Sequence, residues 1–172
     1  AALSDGVINR WPLDAVIKGT YPEDAMAAFR AENPDFAVPD DDMAVVRANP
    51  VDFVGVNYYS PAYVRADATA PLGFDRDTNP DAVKAFNGPV RPEDLCRLLL
   101  RIRDEYGNTP TMITENGAGF GDIDEVRDGN RIHDPLRTDY ILQHADAVVQ
   151  AVTEGADVRG YMVWSLCDNF EW

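Results

Sequence analysis

The sequence predicts an α/β fold with a parallel sheet, and more narrowly part of a (β/α)8 TIM barrel. Three short apolar segments alternate with loops and amphipathic helical segments, an order typical of parallel βαβ units with right-handed crossovers. Polar and aromatic residues follow each segment, and barrel active sites lie at the carboxyl ends of strands. Three strands do not close a barrel of eight, and 172 residues fall short of the ~250 typical of one. We therefore expect part of a barrel.

The N-terminal residues 1–50 are predicted to form helical pieces separated by helix breakers. Pro22 opens a short segment that runs to Phe29. Residues 40–42 are all aspartate, and acidic side chains stabilise the first turn of a helix, so we expect a helix that ends at Asn49.

The first strand is predicted over residues 51–58, which are β-branched and aromatic with few charges. Such a run is typical of a strand that is buried on both faces. Residues 60–90 contain scattered prolines and glycines without sustained periodicity. They predict a long loop, which in compact domains is usually functional or disordered.

The remaining elements are a helix over 92–107, a strand over 111–114, a helix over 134–155 and a strand over 160–165. In the first of these helices, leucine and isoleucine recur with helical spacing, and Pro92 stands at the first helical position. The second helix begins with an Asp-Pro pair that suits an N-cap and ends at a glycine.

The composition excludes several classes of partner. A net charge of −15 and a pI near 4.3 argue against nucleic acid, whose binding relies on lysine and arginine. No apolar run approaches the ~20 residues that span a bilayer, so we expect no membrane association. The first residues show no basic region followed by an apolar one, and we expect a cytoplasmic location; a signal peptide removed before Ala1 is the open alternative. Cys96 and Cys167 have no CxxC partner and are expected to be free thiols that pack as small apolar residues.

Glu115 is the first candidate catalytic residue. It ends a short apolar run and is followed at once by Asn116 and Gly117, which places a carboxylate at the rim of a buried strand. A carboxylate in that position is a candidate nucleophile for glycoside hydrolysis with retention, which pairs it with a carboxylic acid ~5–5.5 Å away. The alternative is a solvated residue at a strand end, which is the commoner place for an isolated acid.

Asn57 and Tyr59 are two residues apart at the end of the first strand and, if the chain stays extended there, point to the same face. A tyrosine hydroxyl there is able to donate to a carboxylate and keep it ionised. Packing within the sheet, with the hydroxyl reaching solvent, is the alternative for both residues.

The C-terminal residues suggest a sugar-binding surface. Glu171 lies next to Trp172, and Trp164 stands seven residues upstream. Carboxylate oxygens accept from sugar hydroxyls, and indole rings offer flat apolar faces for the C–H groups of a pyranose. A tryptophan in a strand is, however, more often part of a core.

At these residues the chain resembles the C-terminal half of a family 1 glycoside hydrolase, the family of β-glucosidases and 6-phospho-β-glycosidases. The matching stretches occur in the family's order and extend over nearly the whole chain. They are Asn9-Arg10-Trp11-Pro12-Leu13-Asp14, Asp52-Phe53-Val54-Gly55-Val56-Asn57-Tyr58-Tyr59, Ile113-Thr114-Glu115-Asn116-Gly117, Asp157-Val158-Arg159-Gly160-Tyr161 and Trp164-Ser165-Leu166-Cys167-Asp168-Asn169-Phe170-Glu171-Trp172. The resemblance implies that residues 1–172 are the C-terminal part of a single barrel, roughly its last three strands with their helices.

The resemblance also implies a role for each candidate residue. Glu115 resembles the catalytic nucleophile, Tyr59 the tyrosine that orients it and Asn57 an asparagine of the same pocket. Trp164 matches the indole beneath the sugar. Glu171 resembles the carboxylate that binds the 4- and 6-hydroxyls, and Trp172 the indole that donates to the 3-hydroxyl.

The general acid/base of the family, the glutamate of an Asn-Glu-Pro motif after an apolar strand, is absent from this sequence. Glu32-Asn33-Pro34 has the reverse order and follows a helical segment. The resemblance therefore implies part of a retaining β-glucosidase that acts on a small-molecule β-glycoside or oligosaccharide without a metal or organic cofactor. We expect the chain alone to be inactive.

Two alternatives remain open. One is a sugar-binding module without catalysis, and the other is a subunit that acts only with an N-terminal partner. The sequence predicts neither the oligomeric state nor the aglycone, and it does not discriminate between glucose, galactose and fucose.

Overall fold

The computed structural model of the chain describes residues 2–77, 83–120 and 126–170. The α-helices are α1 (Ala2–Asp5), α2 (Trp11–Leu13), α3 (Glu23–Glu32), α4 (Asp40–Ala48), α5 (Pro92–Glu105) and α6 (Pro135–Thr153), with π-helical turns at Gly6–Arg10 and Asp14–Lys18. The strands are β1 (Val54–Asn57), β2 (Val64–Ala66), β3 (Phe74–Arg76), β4 (Lys84–Ala85), β5 (Gly88–Pro89), β6 (Thr111–Asn116), β7 (Val126–Asp128), β8 (Arg131–His133) and β9 (Val158–Val163).

The chain groups into two compact units. One unit comprises Ala1–Asp52 and Ala62–Thr78, and the other comprises Phe53–Pro61 and Asn79–Trp172. The assignment of residues 1–172 to a single barrel domain stays a prediction.

The first unit contains α1 to α4, so the expectation of helical pieces over residues 1–50 is confirmed. Trp11 stacks on Tyr21 with ring centroids 4.3 Å apart and meets Phe29 edge-on at 5.0 Å. Arg10 joins two carboxylates, with Nε 2.9 Å from Asp5 Oδ2 and Nη2 2.6 Å from Asp24 Oδ2. Aromatic packing and this ion-pair pattern connect α1, α3 and the turns between them.

The second unit contains a parallel sheet in the order β1-β6-β9. Helices α5 and α6 pack on each other and supply most of its core. The fully buried members of this core include Leu95, Leu99, Ile113 and Ala151. The predicted α/β fold with a parallel sheet is therefore confirmed.

Strand β1 differs from the expectation of a strand buried on both faces. Val54 and Val56 are partly buried, whereas Gly55 and Asn57 are exposed. Val56 pairs with Ile113 on the face that packs against the helical core. Within the described residues of this unit, the core lies on that face alone, so the alternate residues of β1 remain accessible.

The prediction of a long loop over residues 60–90 is wrong in part, because this region contains two antiparallel hairpins. Strands β2 and β3 pair with each other, and so do β4 and β5. Gly73 has a φ of 71° and Gly88 a φ of 121°, values that favour glycine and allow the chain to reverse. Strands of two or three residues are too short for an alternating pattern to show in the sequence.

A third hairpin, β7–β8, was not expected. Asp128 pairs with Arg131 across a two-residue turn in which Gly129 has a φ of 58°. A Gly-Asn pair between two short strands is typical of a β-hairpin, so the residues Gly129 and Asn130 do predict this turn.

Two predicted boundaries miss by three residues, since β1 begins at Val54 and not at residue 51, and α3 continues past Phe29 to Glu32. The other boundaries agree with the sequence to within two residues. Helix α5 occupies the predicted segment, and the N-cap of α6 is Asp134, which accepts from the backbone N–H of Arg137 at 3.2 Å. The last strand begins two residues earlier than expected because Val158 pairs with Thr111. Strand β6 continues past the predicted end at residue 114 to Asn116.

The two cysteines are free thiols, as expected, but they differ in environment. Cys96 is buried in the core, and burial raises the pKa of its thiol. Cys167 lies after the last strand and is exposed, so the expectation that it packs as an apolar residue is wrong. In the described parts of the chain, no helix combines the length and the apolar character needed to cross a membrane.

Protonation of His144 is expected to destabilise the fold. Its side chain is fully buried between Tyr58 and Tyr140, and burial lowers its pKa from 6.5 despite the opposing effects of a hydrogen bond to the carbonyl of Tyr140 and of the Glu93 carboxylate. The unfolded chain therefore takes up this proton first as the pH falls through ~6.5. We expect the free energy of unfolding to fall between pH 7.5 and 5.5 by at most about 1.4 kcal/mol per pH unit.

Denaturant titrations at several pH values measure this effect. His144→Gln should remove the pH-dependent part, while His133→Asn, at an exposed position of β8, should retain it. An unchanged pH dependence in His144→Gln would contradict the assignment.

Candidate active site

The site begins with one extra residue in strand β6. Ile113 pairs with Val56, but the next residue of β1, Asn57, pairs with Glu115. The pairing with β9 shows the same shift, since Ile113 pairs with Tyr161 and Asn116 pairs with Val163. A bulge of this kind redirects the side chains that follow it.

Strict alternation would place Glu115 on the same face as Ile113, against the helical core. The bulge instead places Thr114 and Glu115 on the face opposite the core, where they meet Asn57 and Tyr59, and it returns Asn116 to the core side. The carboxylate at residue 115 therefore faces the open side of the sheet.

Tyr59 contacts this carboxylate directly. Its hydroxyl donates to Glu115 Oε2 at 2.6 Å, and both residues are partly buried. This contact fixes the position of the Glu115 side chain at the edge of the sheet.

Asn57 lies beside the same pair but bonds elsewhere. Its Oδ1 accepts from Thr114 Oγ1 at 2.7 Å. Thr114 also fills the space next to Gly55, where an added Cβ would lie 3.2 Å from Thr114 Cγ2. Asn57, Thr114, Glu115 and Tyr59 thus form one polar group at the carboxyl ends of β1 and β6.

Trp164 follows β9 and approaches the site through its main chain. Its N–H donates to the carbonyl of Asn116 at 2.9 Å, and its side chain is 41% exposed. The peptide bond between Trp164 and Ser165 is cis. The carboxyl ends of β1, β6 and β9 therefore contribute Tyr59, Glu115 and Trp164 to the same edge of the sheet.

Glu171 and Trp172, the two predicted sugar-binding residues at the C-terminus, lie outside the described residues. The segment that precedes them is described up to residue 170. There, Asp168 forms an ion pair with Arg137 of α6, and Ser165 Oγ donates to the carbonyl of Cys167 at 2.6 Å.

Three residues of the site were not anticipated from the sequence. Asn116 is fully buried; its Nδ2 donates to the Tyr58 carbonyl at 2.7 Å and to Tyr140 Oη at 3.1 Å, and its Oδ1 accepts from Tyr161 Oη at 2.6 Å. Tyr140 belongs to α6 and Tyr161 to β9. The contacts of Asn116 are all with residues distant in the sequence, so no local sequence pattern joins it to Tyr140 or Tyr161.

Burial also fixes the ionisation of the two tyrosines. It raises the pKa of Tyr161 to about 12, and it raises the pKa of Tyr140 further, so both hydroxyls stay protonated near neutral pH. Among the residues that the structure describes, no group of three or more His, Cys, Asp or Glu is arranged to hold a metal ion.

Comparison with known proteins adds the family context. The family model of glycosyl hydrolase family 1 matches residues 1–172. β-Glucosidase A of Enterobacter agglomerans is 41% identical over 174 residues, an alignment that covers 100% of this chain and 36% of that protein.

Comparison with solved structures indicates the same family. A family 1 β-glucosidase from Exiguobacterium antarcticum superposes with a TM-score of 0.88 at 37% identity, over 99% of this chain and 38% of that one. A β-glucosidase from Thermotoga maritima, solved in complex with deoxynojirimycin, gives a TM-score of 0.80 at 35% identity over 95% of this chain and 36% of that one. These neighbours are TIM barrels, and the chain spans only between a third and two fifths of the length of each.

Gly117, which follows the bulge, is expected to tolerate no side chain. A Cβ at this position would lie 1.9 Å from the carbonyl oxygen of Trp164, so the main chain of one segment would have to move. We expect Gly117→Ala to lower the free energy of unfolding by more than about 2 kcal/mol, as measured by denaturant titration.

Gly119→Ala is the matched control, because a Cβ there would lie 3.7 Å from Phe86 Cβ, an ordinary contact. It should change stability by less than about 0.5 kcal/mol. Equal stabilities for the two variants would show that the approach of Gly117 to Trp164 is not a packing constraint.

Proposed function

Since the chain belongs to glycosyl hydrolase family 1, we propose that it is the C-terminal part of a retaining β-glucosidase and contributes roughly the last three strands of its barrel. Its substrate is a terminal β-D-glucoside or a related small β-glycoside or oligosaccharide. A cytoplasmic location, and catalysis without a metal or organic cofactor, belong to the same proposal.

The contact between Tyr59 and Glu115 is the observation that carries this proposal. The hydroxyl engages Oε2 of the carboxylate, which leaves Oε1 as the oxygen that attacks the anomeric carbon. The bulge directs this carboxylate to the face of the sheet that the core does not occupy. A nucleophile needs both an ionised oxygen and a path to the substrate.

In the proposed reaction, a bond forms between Glu115 and the anomeric carbon while the glycosidic bond breaks. A carboxylic acid outside this sequence donates its proton to the leaving oxygen. The same group then takes a proton from water, and that water displaces the sugar from Glu115. The anomeric configuration is retained because each of the two displacements inverts it.

The identity of the sugar depends on the C-terminal residues. We propose that Trp164 packs beneath the glycone while Glu171 accepts from its hydroxyls and Trp172 donates to one of them. A carboxylate at residue 171 would repel a phosphate dianion, so a neutral glucoside is favoured over a 6-phospho-glucoside.

Covalent trapping tests the nucleophile. Incubation of the complete enzyme with 2,4-dinitrophenyl 2-deoxy-2-fluoro-β-glucoside should add one fluoroglycosyl group to Glu115. The fluorine slows both the formation and the hydrolysis of the intermediate, whereas the good leaving group speeds only its formation, so the intermediate accumulates. Peptide mass spectrometry locates the adduct.

Glu115→Gln should accumulate no adduct, while Glu105→Gln, at the end of α5, should label like the unaltered enzyme. Labelling at a residue other than Glu115 would refute the assigned role. Binding of glucose without any labelling would favour the alternative of a sugar-binding module.

The 172-residue chain by itself is expected to hydrolyse natural β-glucosides negligibly. General acid/base catalysis is typically worth about 10²–10⁴-fold, and this chain does not supply that group. The measurement is glucose release from cellobiose by the purified chain, alone and after mixing with the separately expressed N-terminal part. Recovery that requires both pieces would support the two-part subunit, whereas efficient cleavage by the chain alone would contradict this expectation.

A further inference from the structure

Tyr140 lies deep in the second unit, in the first half of α6. It is 1% exposed, and its ring stacks on that of His144 with centroids 3.9 Å apart and an interplanar angle of 25°. The hydroxyl of a side chain held in this way has little freedom to move. Its position is set by α6 and not by the strands that carry the site.

This hydroxyl makes two hydrogen bonds toward the strand ends. Tyr140 Oη donates to the main-chain carbonyl of Tyr59 at 2.9 Å. The same oxygen accepts from Asn116 Nδ2 at 3.1 Å. One buried atom is therefore bonded both to the residue that contacts the carboxylate and to the residue that follows Glu115 in the chain.

The two bonds hold the main chain on both sides of the contact between Tyr59 and Glu115. Tyr59 has left strand β1, which ends at Asn57, so the ladder between β1 and β6 no longer fixes its carbonyl. The Tyr58 N–H still donates to the carbonyl of Glu115 at 2.9 Å. Tyr140 adds the constraint on the next residue, the one whose hydroxyl meets the carboxylate.

We propose that Tyr140 is a positioning residue for the nucleophile, which acts by fixing Tyr59 and Asn116 so that the Tyr59 hydroxyl stays on Glu115 Oε2. The inference rests on the proposed function, since it assigns a role within that reaction. The hydroxyl of Tyr140 bonds to Tyr59 and Asn116 and not to the carboxylate itself. Tyr161 assists through its bond to Asn116 Oδ1.

Removal of the Tyr140 hydroxyl should leave the fold intact, because other contacts of these residues do not depend on it. In Tyr140→Phe, the ring still packs on His144, and Asn116 Nδ2 keeps the Tyr58 carbonyl as its acceptor. The carbonyl of Tyr59 loses the hydrogen bond from the Tyr140 hydroxyl. Displacements of about 1 Å at a reacting group cost up to ~10²-fold in rate, so the consequence should appear in chemistry more than in binding.

The test compares Tyr59→Phe, Tyr140→Phe and the double variant in the complete enzyme. The readouts are the rate constant and the inhibitor dissociation constant for trapping by 2,4-dinitrophenyl 2-deoxy-2-fluoro-β-glucoside. We expect Tyr140→Phe to lower the rate constant about 5- to 50-fold and to change the dissociation constant less than about twofold. Tyr59→Phe combined with Tyr140→Phe should be no more than about twofold slower than Tyr59→Phe alone.

A residue with a merely structural role would give losses that multiply in the double variant, and that outcome overturns the proposal. Full trapping rate in Tyr140→Phe overturns it as well. Tyr106→Phe is the matched control, because Tyr106 is a buried tyrosine of the same unit that follows α5, before β6 begins; it should trap at the unaltered rate.

If Tyr140→Phe does not fold, as judged by its thermal transition, Tyr161→Phe replaces it. The expected loss is then about two- to tenfold and vanishes in the Tyr59→Phe background, while a loss that persists there overturns the proposal. Absence of any adduct at Glu115 in the unaltered enzyme would refute the proposed function itself. The two failures are therefore distinguishable.

Discussion

The arrangement of the site depends on one extra residue in strand β6. The pairing of β6 with β1 and its pairing with β9 both shift by one residue after Ile113. The extra residue therefore belongs to β6 itself. Without it, Glu115 would point into the core among leucines of α5, where an ionised carboxylate is costly. Compared with a regular strand, the bulge moves Glu115 from the core face to the opposite face and moves Asn116 to the core face. The carboxyl side chain therefore faces outward and the amide side chain faces the core.

That exchange requires the amide to be satisfied, and the core provides for it. A buried polar group without partners costs about 1–3 kcal/mol, but Asn116 uses both donors and its acceptor with the Tyr58 carbonyl, Tyr140 and Tyr161. These partners come from the end of β1, from α6 and from β9. The hydrogen bonds that satisfy Asn116 therefore also fix the ends of β1, β6 and β9 relative to one another. The geometry of the site depends in this way on contacts within the core.

The sequence predicts the parts of this structure that depend on local periodicity and capping. Helices α5 and α6, the parallel order of the sheet and the position of Glu115 at a strand end all follow from such signals. The bulge does not, because a strict period of two assigns Glu115 to the wrong face and only tertiary contacts of Asn116 reverse it. The role of Tyr140 is likewise not predicted by local patterns. Its spacing with His144 in α6 is the spacing of any two residues on the buried face of a helix. The short hairpins lie below the length at which alternation is detectable.

The orientation of Glu115 also limits where its catalytic partner stands in the proposed reaction. Retention requires a second carboxyl group ~5–5.5 Å away. The side of β6 that faces α5 and α6 is filled by Ile113, Asn116 and the helical core, so that group has to approach from the opposite face. On that face, the side chains of Thr114 and Met112 lie beside Gly55 and Gly160, and Met162 is 47% exposed. In the proposed reaction, the described part of the chain thus supplies Glu115 and the network that holds it, and the proton donor approaches the sugar from the open face of the sheet.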